Sequence, residues 1–273
     1  MAVSASAATE TYTQRYVSTT VEVQSATTRL ARVQCGAGEI NTGGGFFVDG
    51  TTDPSAYTVI ADRPDGANGW TAGIFLSNGY GPVDLTVHAV CVKRVSGAAL
   101  TRTVVTAAGQ ATSGDVANVV ATCPSGYVRT GGGYYLSSLS TTRNTVLLNA
   151  PYVDNGWIVS YYGESGDEFW GQVVCVKVPA DAALTVRAVT TSFAVPGQST
   201  ATGTAACAKS EATTGGGWSV SDIDPTRYVV RGSEPQFRRV GGHSWRLSVF
   251  SDFDNESAQL DARVVALCVK TAY

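Results

Sequence analysis

The pentapeptide Thr42-Gly43-Gly44-Gly45-Phe46 stands seven residues after Cys35, and the same arrangement occurs twice more in the chain. The other copies are Cys123 with Thr130-Gly131-Gly132-Gly133-Tyr134 and Cys207 with Thr214-Gly215-Gly216-Gly217-Trp218. Each copy is followed by a tryptophan and then by a Cys-Val-Lys tripeptide, at Trp70 and Cys91, Trp157 and Cys175, and Trp245 and Cys268. The chain is therefore a triplicated unit of about 85–90 residues, a length typical of a small domain.

Composition and periodicity favour β-structure in every unit. The 273 residues include 30 glycines and many threonines and valines, and no amphipathic helical stretch with capping residues is evident. Alternating runs such as Leu85-Thr86-Val87-His88-Ala89 precede the second cysteine of each unit. The sequence therefore predicts an all-β protein of three tandem, homologous, β-sandwich-like units with antiparallel sheets.

The three repeated tryptophans each open an alternating run, as in Trp70-Thr71-Ala72-Gly73-Ile74. Since every second residue of a strand lies on one face, this phase places the indoles on the apolar face. We predict that they lie in the core, and stacking on a sugar is the alternative interpretation.

The triple glycine is costly for a strand, because glycine loses the most backbone entropy on folding. Its presence in three copies predicts positive φ or the close approach of another segment, in a bulge or a strand crossing. A phosphate-binding loop is the alternative, but it would need a following helix, whereas Phe46-Phe47 and Tyr134-Tyr135 are typical of a continuing strand.

The six cysteines fall as two per unit without the close spacing of a zinc site. We predict the disulfides Cys35–Cys91, Cys123–Cys175 and Cys207–Cys268, with buried free thiols as the alternative. Disulfides indicate an extracellular location or the surface of a cell or virion. Residues 1–10 lack the basic start and apolar run of a secretory signal, so either a leader is removed or release takes another route, such as lysis.

Short linkers of small residues separate the copies and predict units at 1–96, 97–181 and 182–273. Because the linkers are so short, neighbouring units should touch, either in a compact row or in a pseudo-threefold cluster. The net charge of -3 gives no electrostatic argument for nucleic acid, and no apolar run is long enough to span a membrane. We expect neither partner.

Two weak candidate sites lie in the third unit. Asp252, Asp254 and Glu256 place oxygen ligands on alternate residues, which is compatible with calcium, but the full calcium-loop pattern is missing and a solvated turn is the favoured interpretation. Phe237, Arg238 and Arg239 belong to an arginine-rich, aromatic segment that resembles the anchors of a partner-binding surface. A solvated strand face is the favoured interpretation there as well.

Signals for catalysis are poor. His88 and His243 occupy non-equivalent positions, and neither belongs to a recognisable catalytic or metal motif. We therefore expect no enzyme and no cofactor other than the calcium alternative. The first hypothesis is a non-enzymatic surface protein that binds a partner or glycan through its variable loops, which lie between the triple glycine and the tryptophan and between the tryptophan strand and Cys-Val-Lys. The second is a structural component of an extracellular assembly or phage-like virion, as a decoration, tail or fibre protein whose three units mimic a trimer and which can self-associate.

Overall fold

A computed structural model describes residues 12–51, 53, 55–95, 98–112, 115–137, 145–153, 155–177, 179, 184–221, 227–238, 242–253 and 259–270. Within these ranges no helix is long and apolar enough to cross a membrane. The regular elements are 18 strands: β1 Tyr12–Val23, β2 Thr27–Gln34, β3 Ile40–Asp49, β4 Tyr57–Asp65, β5 Gly69–Leu76, β6 Val83–Arg94, β7 Thr101–Gln110, β8 Val116–Thr122, β9 Tyr127–Leu136, β10 Thr145–Tyr152, β11 Gly156–Tyr162, β12 Glu168–Lys177, β13 Val186–Pro196, β14 Ser199–Ala206, β15 Glu211–Val220, β16 Tyr228–Arg238, β17 Gly242–Ser251 and β18 Gln259–Lys270.

Each unit is a small sandwich of six strands. In unit 1, strands β1, β6 and β3 form one half, and β2, β5 and β4 form the other. The inward-facing residues of both halves are buried, among them Trp70 and Ile74 of β5 and Leu85 and Val87 of β6. Units 2 and 3 repeat the arrangement with β7–β12 and β13–β18. The prediction of an all-β fold with three homologous antiparallel units is confirmed.

The three units close into a ring by sharing their sheets. Sheet I has the order β1-β6-β3-β16-β17-β14 and joins unit 1 to unit 3. Sheet II, β2-β5-β4-β9-β12-β7, joins unit 1 to unit 2, and sheet III, β13-β18-β15-β10-β11-β8, joins unit 3 to unit 2. Of the two arrangements that the short linkers allow, the structure therefore has the pseudo-threefold cluster. The predicted boundaries at 96/97 and 181/182 lie outside the described residues.

The first glycine of each triplet lies where β3, β9 and β15 meet at the centre of the ring. A Cβ atom on Gly43 would stand 2.5 Å from the backbone oxygen of Thr214, a distance at which atoms collide. The first glycines of the other triplets meet equivalent oxygens at the same 2.5 Å, in the pairs Gly131–Thr42 and Gly215–Thr130. The central strands can approach this closely only because these positions carry no side chain.

The second and third glycines make room for an indole and for the neighbouring unit. A Cβ on Gly44 would lie 2.4 Å from the Trp70 ring, and a Cβ on Gly45 would lie 1.8 Å from the backbone oxygen of Ser233 in unit 3. The other triplets repeat both contacts, as Gly132–Trp157, Gly216–Trp245, Gly133–Asp62 and Gly217–Asn149. All three glycines of a triplet are therefore explained by close approach.

The backbone at each triplet contains a bulge. The pairing registers shift between Asn41 and Gly43 and between Thr213 and Gly215, and Thr130 is skipped in the pairing of β9 with β12. None of the nine triplet glycines is among those with positive φ. Thus the predicted bulge and close approach are confirmed, whereas the positive φ offered as the other explanation is wrong.

The predicted disulfides join the two halves of each sandwich. The Cα atoms of Cys35 and Cys91 lie 5.5 Å apart, and the other two pairs are separated by 5.6 Å and 5.5 Å. The tryptophans Trp70, Trp157 and Trp245 are fully buried, as predicted. Three disulfides are typical of a protein that resides in an oxidising environment.

Candidate functional surface

The strand ends that carry most of the variable loops gather at one end of the ring. Every strand pair is antiparallel and joins an odd-numbered strand to an even-numbered one, so within each sheet the odd strands run one way and the even strands the other. The short turns at 24–26 and 197–198 join strands of different sheets, so the three sheets share this direction. The strand ends that the nine odd-to-even connections join therefore lie at the same end, which we call the loop end. The cysteines Cys35, Cys123 and Cys207 follow even strands, and thus mark the opposite, disulfide end.

The loops of unit 1 are tied together by hydrogen bonds. Ser25 Oγ donates to the backbone oxygen of Ser77 over 3.3 Å, which joins the β1–β2 connection (the first loop) to the β5–β6 connection (the third loop); the second loop connects β3 to β4. The Tyr80 hydroxyl donates to Asp53 Oδ2 over 2.8 Å and lies 2.6 Å from Ser55 Oγ, which joins the third to the second. Partial burial opposes ionisation of Asp53, but the hydrogen bonds from Ser55 and Tyr80 outweigh it and lower the pKa of this carboxyl.

Units 2 and 3 hold their loops with different residues. In unit 2 the Asp167 carboxylate accepts from the Tyr161 hydroxyl and from the Glu164 backbone, each over 3.1 Å. In unit 3 the Arg227 guanidinium lies 5.3 Å from the centre of the Phe253 ring. The three units therefore present different side chains at equivalent places on a common frame, as expected where specificity resides in loops.

Charge is polarised along the ring axis. Among the described residues, acidic groups outnumber basic ones in the half nearer the loops. The acidic residues there are Glu22, Asp49, Asp53, Asp84, Asp115, Glu164, Asp167, Glu168, Asp252 and Asp261, and the basic residues are Arg29, Arg227, Arg231 and Arg263. In the other half the excess is basic, and it includes all of the lysines, namely Lys93, Lys177, Lys209 and Lys270. A net charge of -3 thus conceals an acidic loop end and a basic disulfide end.

The two predicted candidate sites lie at opposite ends. Asp252 is exposed at the loop end, where its backbone nitrogen donates to the backbone oxygen of Arg227 over 2.7 Å. Asp254 and Glu256 lie outside the described residues, so calcium binding there stays a prediction. Phe237 and Arg238 form the last residues of β16, at the disulfide end, and Arg239 lies beyond the described part.

One polar cluster that the sequence did not reveal lies on the outer face of sheet I. Glu234 of unit 3 is only 5% exposed, and its carboxylate lies 3.0 Å from His88 Nε2 of unit 1 and accepts from Arg246 Nε over 2.9 Å. Burial opposes ionisation, but these two partners outweigh it and lower the pKa of Glu234. The cluster therefore links units 1 and 3 across the sheet.

A second cluster, on the outer face of sheet II, is aromatic. Tyr135 and Trp170 stack with their ring centres 5.2 Å apart and an angle of 28° between the planes. The guanidinium carbon of Arg63 lies 4.9 Å from the centre of the Tyr135 ring. Trp170 is partly exposed, whereas the other four tryptophans are buried. The sequence carried a signal, since Trp170 occupies an outward position between Phe169 and Gly171.

A buried acid distinguishes unit 1. Trp70 Nε1 donates to Asp62 Oδ1 over 2.7 Å, and the carboxyl is 2% exposed. The burial raises the pKa of Asp62 to about 8. Equivalent indoles in units 2 and 3 donate to neutral groups, Asn149 Oδ1 and Ser233 Oγ. This acid is part of the core and lies away from both ends.

Comparison with known proteins adds no assignment at this point. No model of a known protein family matches the chain, and no curated protein matches it either. The features that bear on function are therefore the geometry of the loop end, the charge distribution and the outer sheet faces.

Proposed function

We propose that this protein is a non-enzymatic binding protein, exposed outside a cell or on a particle, that engages a protein or glycan partner through its loop end. The observation that carries the proposal is that the strand ends joined by nine variable connections converge at one end of a ring held by three disulfides. Loops on a rigid scaffold are the usual place for specificity, because they can change without loss of the core.

The outer ends of the first and last strands support this orientation. β1 begins at Tyr12 and β18 ends at Lys270, both at the disulfide end. Any attachment through either end of the described chain would leave the loop end free. The acidic character of the loop end favours a partner with a basic surface, and charge complementarity of this kind raises the association rate.

The test compares matched variants at the two ends. The loop-end variant carries Asp115→Asn, Glu164→Gln and Asp252→Asn, and the control carries Lys93→Gln, Lys177→Gln and Lys270→Gln; all six positions are exposed. Each variant is applied to a glycan array and to the surfaces of cultured cells. Saturable binding that the loop-end variant loses and the control keeps is expected. Binding that only the control loses would place the interaction at the other end.

A second candidate function rests on the closed pseudo-threefold ring. A single chain that reproduces the geometry of a trimer fits a symmetry axis in a larger assembly, such as the decoration, tail or fibre of a virion-like particle. Under this function the chain copurifies with particles and contacts a shell protein or copies of itself. Analytical ultracentrifugation and mass spectrometry of purified particles distinguish it from a free binding protein.

A further inference from the structure

The outer face of sheet II carries an aromatic row that ends in an open position. Tyr135 lies between the Arg63 guanidinium on one side and the Trp170 ring on the other. On the far side of Trp170, the strand register places Ala108 of the edge strand β7 directly opposite it. Ala108 is exposed and has only a methyl group, so the row stops at the indole and leaves space above β7.

Polar groups border this open position on both sides. Glu168 and Gln110 are paired across β12 and β7 on one side, and both are exposed. On the other side Gln172 Nε2 donates to Thr106 Oγ1 over 3.0 Å, and Thr106 is exposed. Amide, carboxylate and hydroxyl groups of this kind can exchange hydrogen bonds with the hydroxyl groups of a ligand.

From this arrangement we propose that Trp170 and the space above Ala108 form a binding site for a neutral pyranose sugar. The C–H groups on one face of a pyranose carry partial positive charge and pack against the negative face of an aromatic ring. Three of the four bordering side chains, Gln110, Gln172 and Thr106, are uncharged, so the surroundings favour a neutral ligand. The site lies on a sheet face and does not rest on the proposed role of the loop connections.

Units 1 and 3 have no tryptophan at the position equivalent to Trp170. The residue that stands five positions before the second cysteine is Trp170 in unit 2, but Thr86 in unit 1 and Arg263 in unit 3. The residue two positions after the triple glycine is Tyr135 in unit 2 and Ser219 in unit 3. Sheet III therefore lacks both rings, which makes Arg263→Ala a matched control on an equivalent exposed position.

The test titrates the protein with the methyl glycosides of glucose, galactose, mannose and N-acetylglucosamine. Its readouts are the indole N–H resonance of Trp170 and the quenching of tryptophan fluorescence by acrylamide, which reports mainly on Trp170 because the other four indoles are buried. At least one glycoside should protect Trp170 with a dissociation constant of about 1 mM.

Two variants separate binding from folding. Trp170→Ala removes the aromatic ring. Ala108→Lys keeps the Trp170 ring but fills the space beside it. Each variant should weaken binding at least about ten-fold. Arg263→Ala and the loop-end triple variant should leave the constant unchanged. The proposal is overturned if none of the four glycosides moves the Trp170 resonance, if Ala108→Lys binds normally, or if choline binds in place of the sugars through cation–π contact.

Discussion

Trp70 donates its indole N–H to the carboxyl group of Asp62, which is buried in unit 1. The equivalent indole in unit 2, Trp157, donates to Asn149 over the same distance of 2.7 Å. In the two units, the same indole hydrogen bond is thus accepted by an aspartic acid and by asparagine, its neutral isostere. Because the pKa of Asp62 is raised to about 8, the folded protein keeps a proton there that the unfolded chain releases near its ordinary value.

Asp62→Asn should therefore make stability less dependent on pH. Between the unfolded and folded pKa values the native state binds more protons than the unfolded chain, so the free energy of unfolding of the unmodified protein falls as pH rises from about 4 to about 8. The slope due to this group is at most about 1.4 kcal/mol per pH unit. Denaturant unfolding at several pH values measures it.

Asn149→Asp is the reciprocal control for this effect. It should add a second, pH-dependent contribution in unit 2, so that the free energy of unfolding falls more steeply as pH rises. If Asp62→Asn leaves the pH profile of the unfolding free energy unchanged, burial does not hold the Asp62 carboxyl in its neutral form.

Gly45→Ala should disrupt the junction between units 1 and 3. The new Cβ would stand 1.8 Å from the backbone oxygen of Ser233, and a backbone atom of a shared sheet cannot move aside as a flexible side chain does. We expect a loss of about 3 kcal/mol or more in the free energy of unfolding. Gly81→Ala is the control, because a Cβ there meets nothing within 4 Å. Equal effects of both changes would argue against the shared sheet.

Removal of the unit 2 disulfide by Cys123→Ala and Cys175→Ala should lower the free energy of unfolding by about 2–5 kcal/mol. Since the three sandwiches share sheets and one hydrophobic cluster, the loss should appear in a single cooperative transition of the whole chain. A separate early transition that affects unit 2 alone would show that the units fold independently. The intact mass of the unmodified protein after alkylation without reductant tests for the disulfides, and six modified thiols would show that they are absent.

Binding through the loop end should weaken as salt rises. Most of the acidic groups there are exposed, so ions screen their attraction to a basic partner at distances beyond about 8 Å at physiological ionic strength. The association rate should fall with salt more strongly than the dissociation rate rises. Surface plasmon resonance measures both when the protein is coupled through its lysines, because all four lie at the disulfide end and leave the loops free. A rate that does not respond to salt would exclude electrostatic capture by the loop end.

Local sequence patterns predicted the parts of each unit well. The alternation around Trp70 and Leu85 specifies which face is buried, and the pairing of Cys35 with Cys91 follows from one pair of cysteines per unit. These features depend on the identity of the side chains, which can be read directly from the sequence. The bulge at each triple glycine was predictable for the same reason, since glycine is retained where a side chain cannot fit.

The closure of the ring was not predictable from those patterns. At the junctions Gly45, Gly133 and Gly217 meet backbone oxygens, and a backbone oxygen leaves no signature in the sequence. The polarity of the charges was hidden for a related reason, because it appears only when strand direction assigns each residue to an end. Trp170 could have been found, since a large aromatic residue at an outward position of an alternating strand is a visible exception.

The measurement that tests the central claim most directly is a backbone nuclear Overhauser effect between Phe47 in β3 and Gly232 in β16. These residues pair across sheet I although they belong to units 1 and 3, which are not neighbours in sequence. A closed ring predicts this contact together with slow exchange of the amide protons around it. Absence of the contact, with amides of β3 that exchange freely with solvent, would contradict the shared sheet and leave the three units as a row.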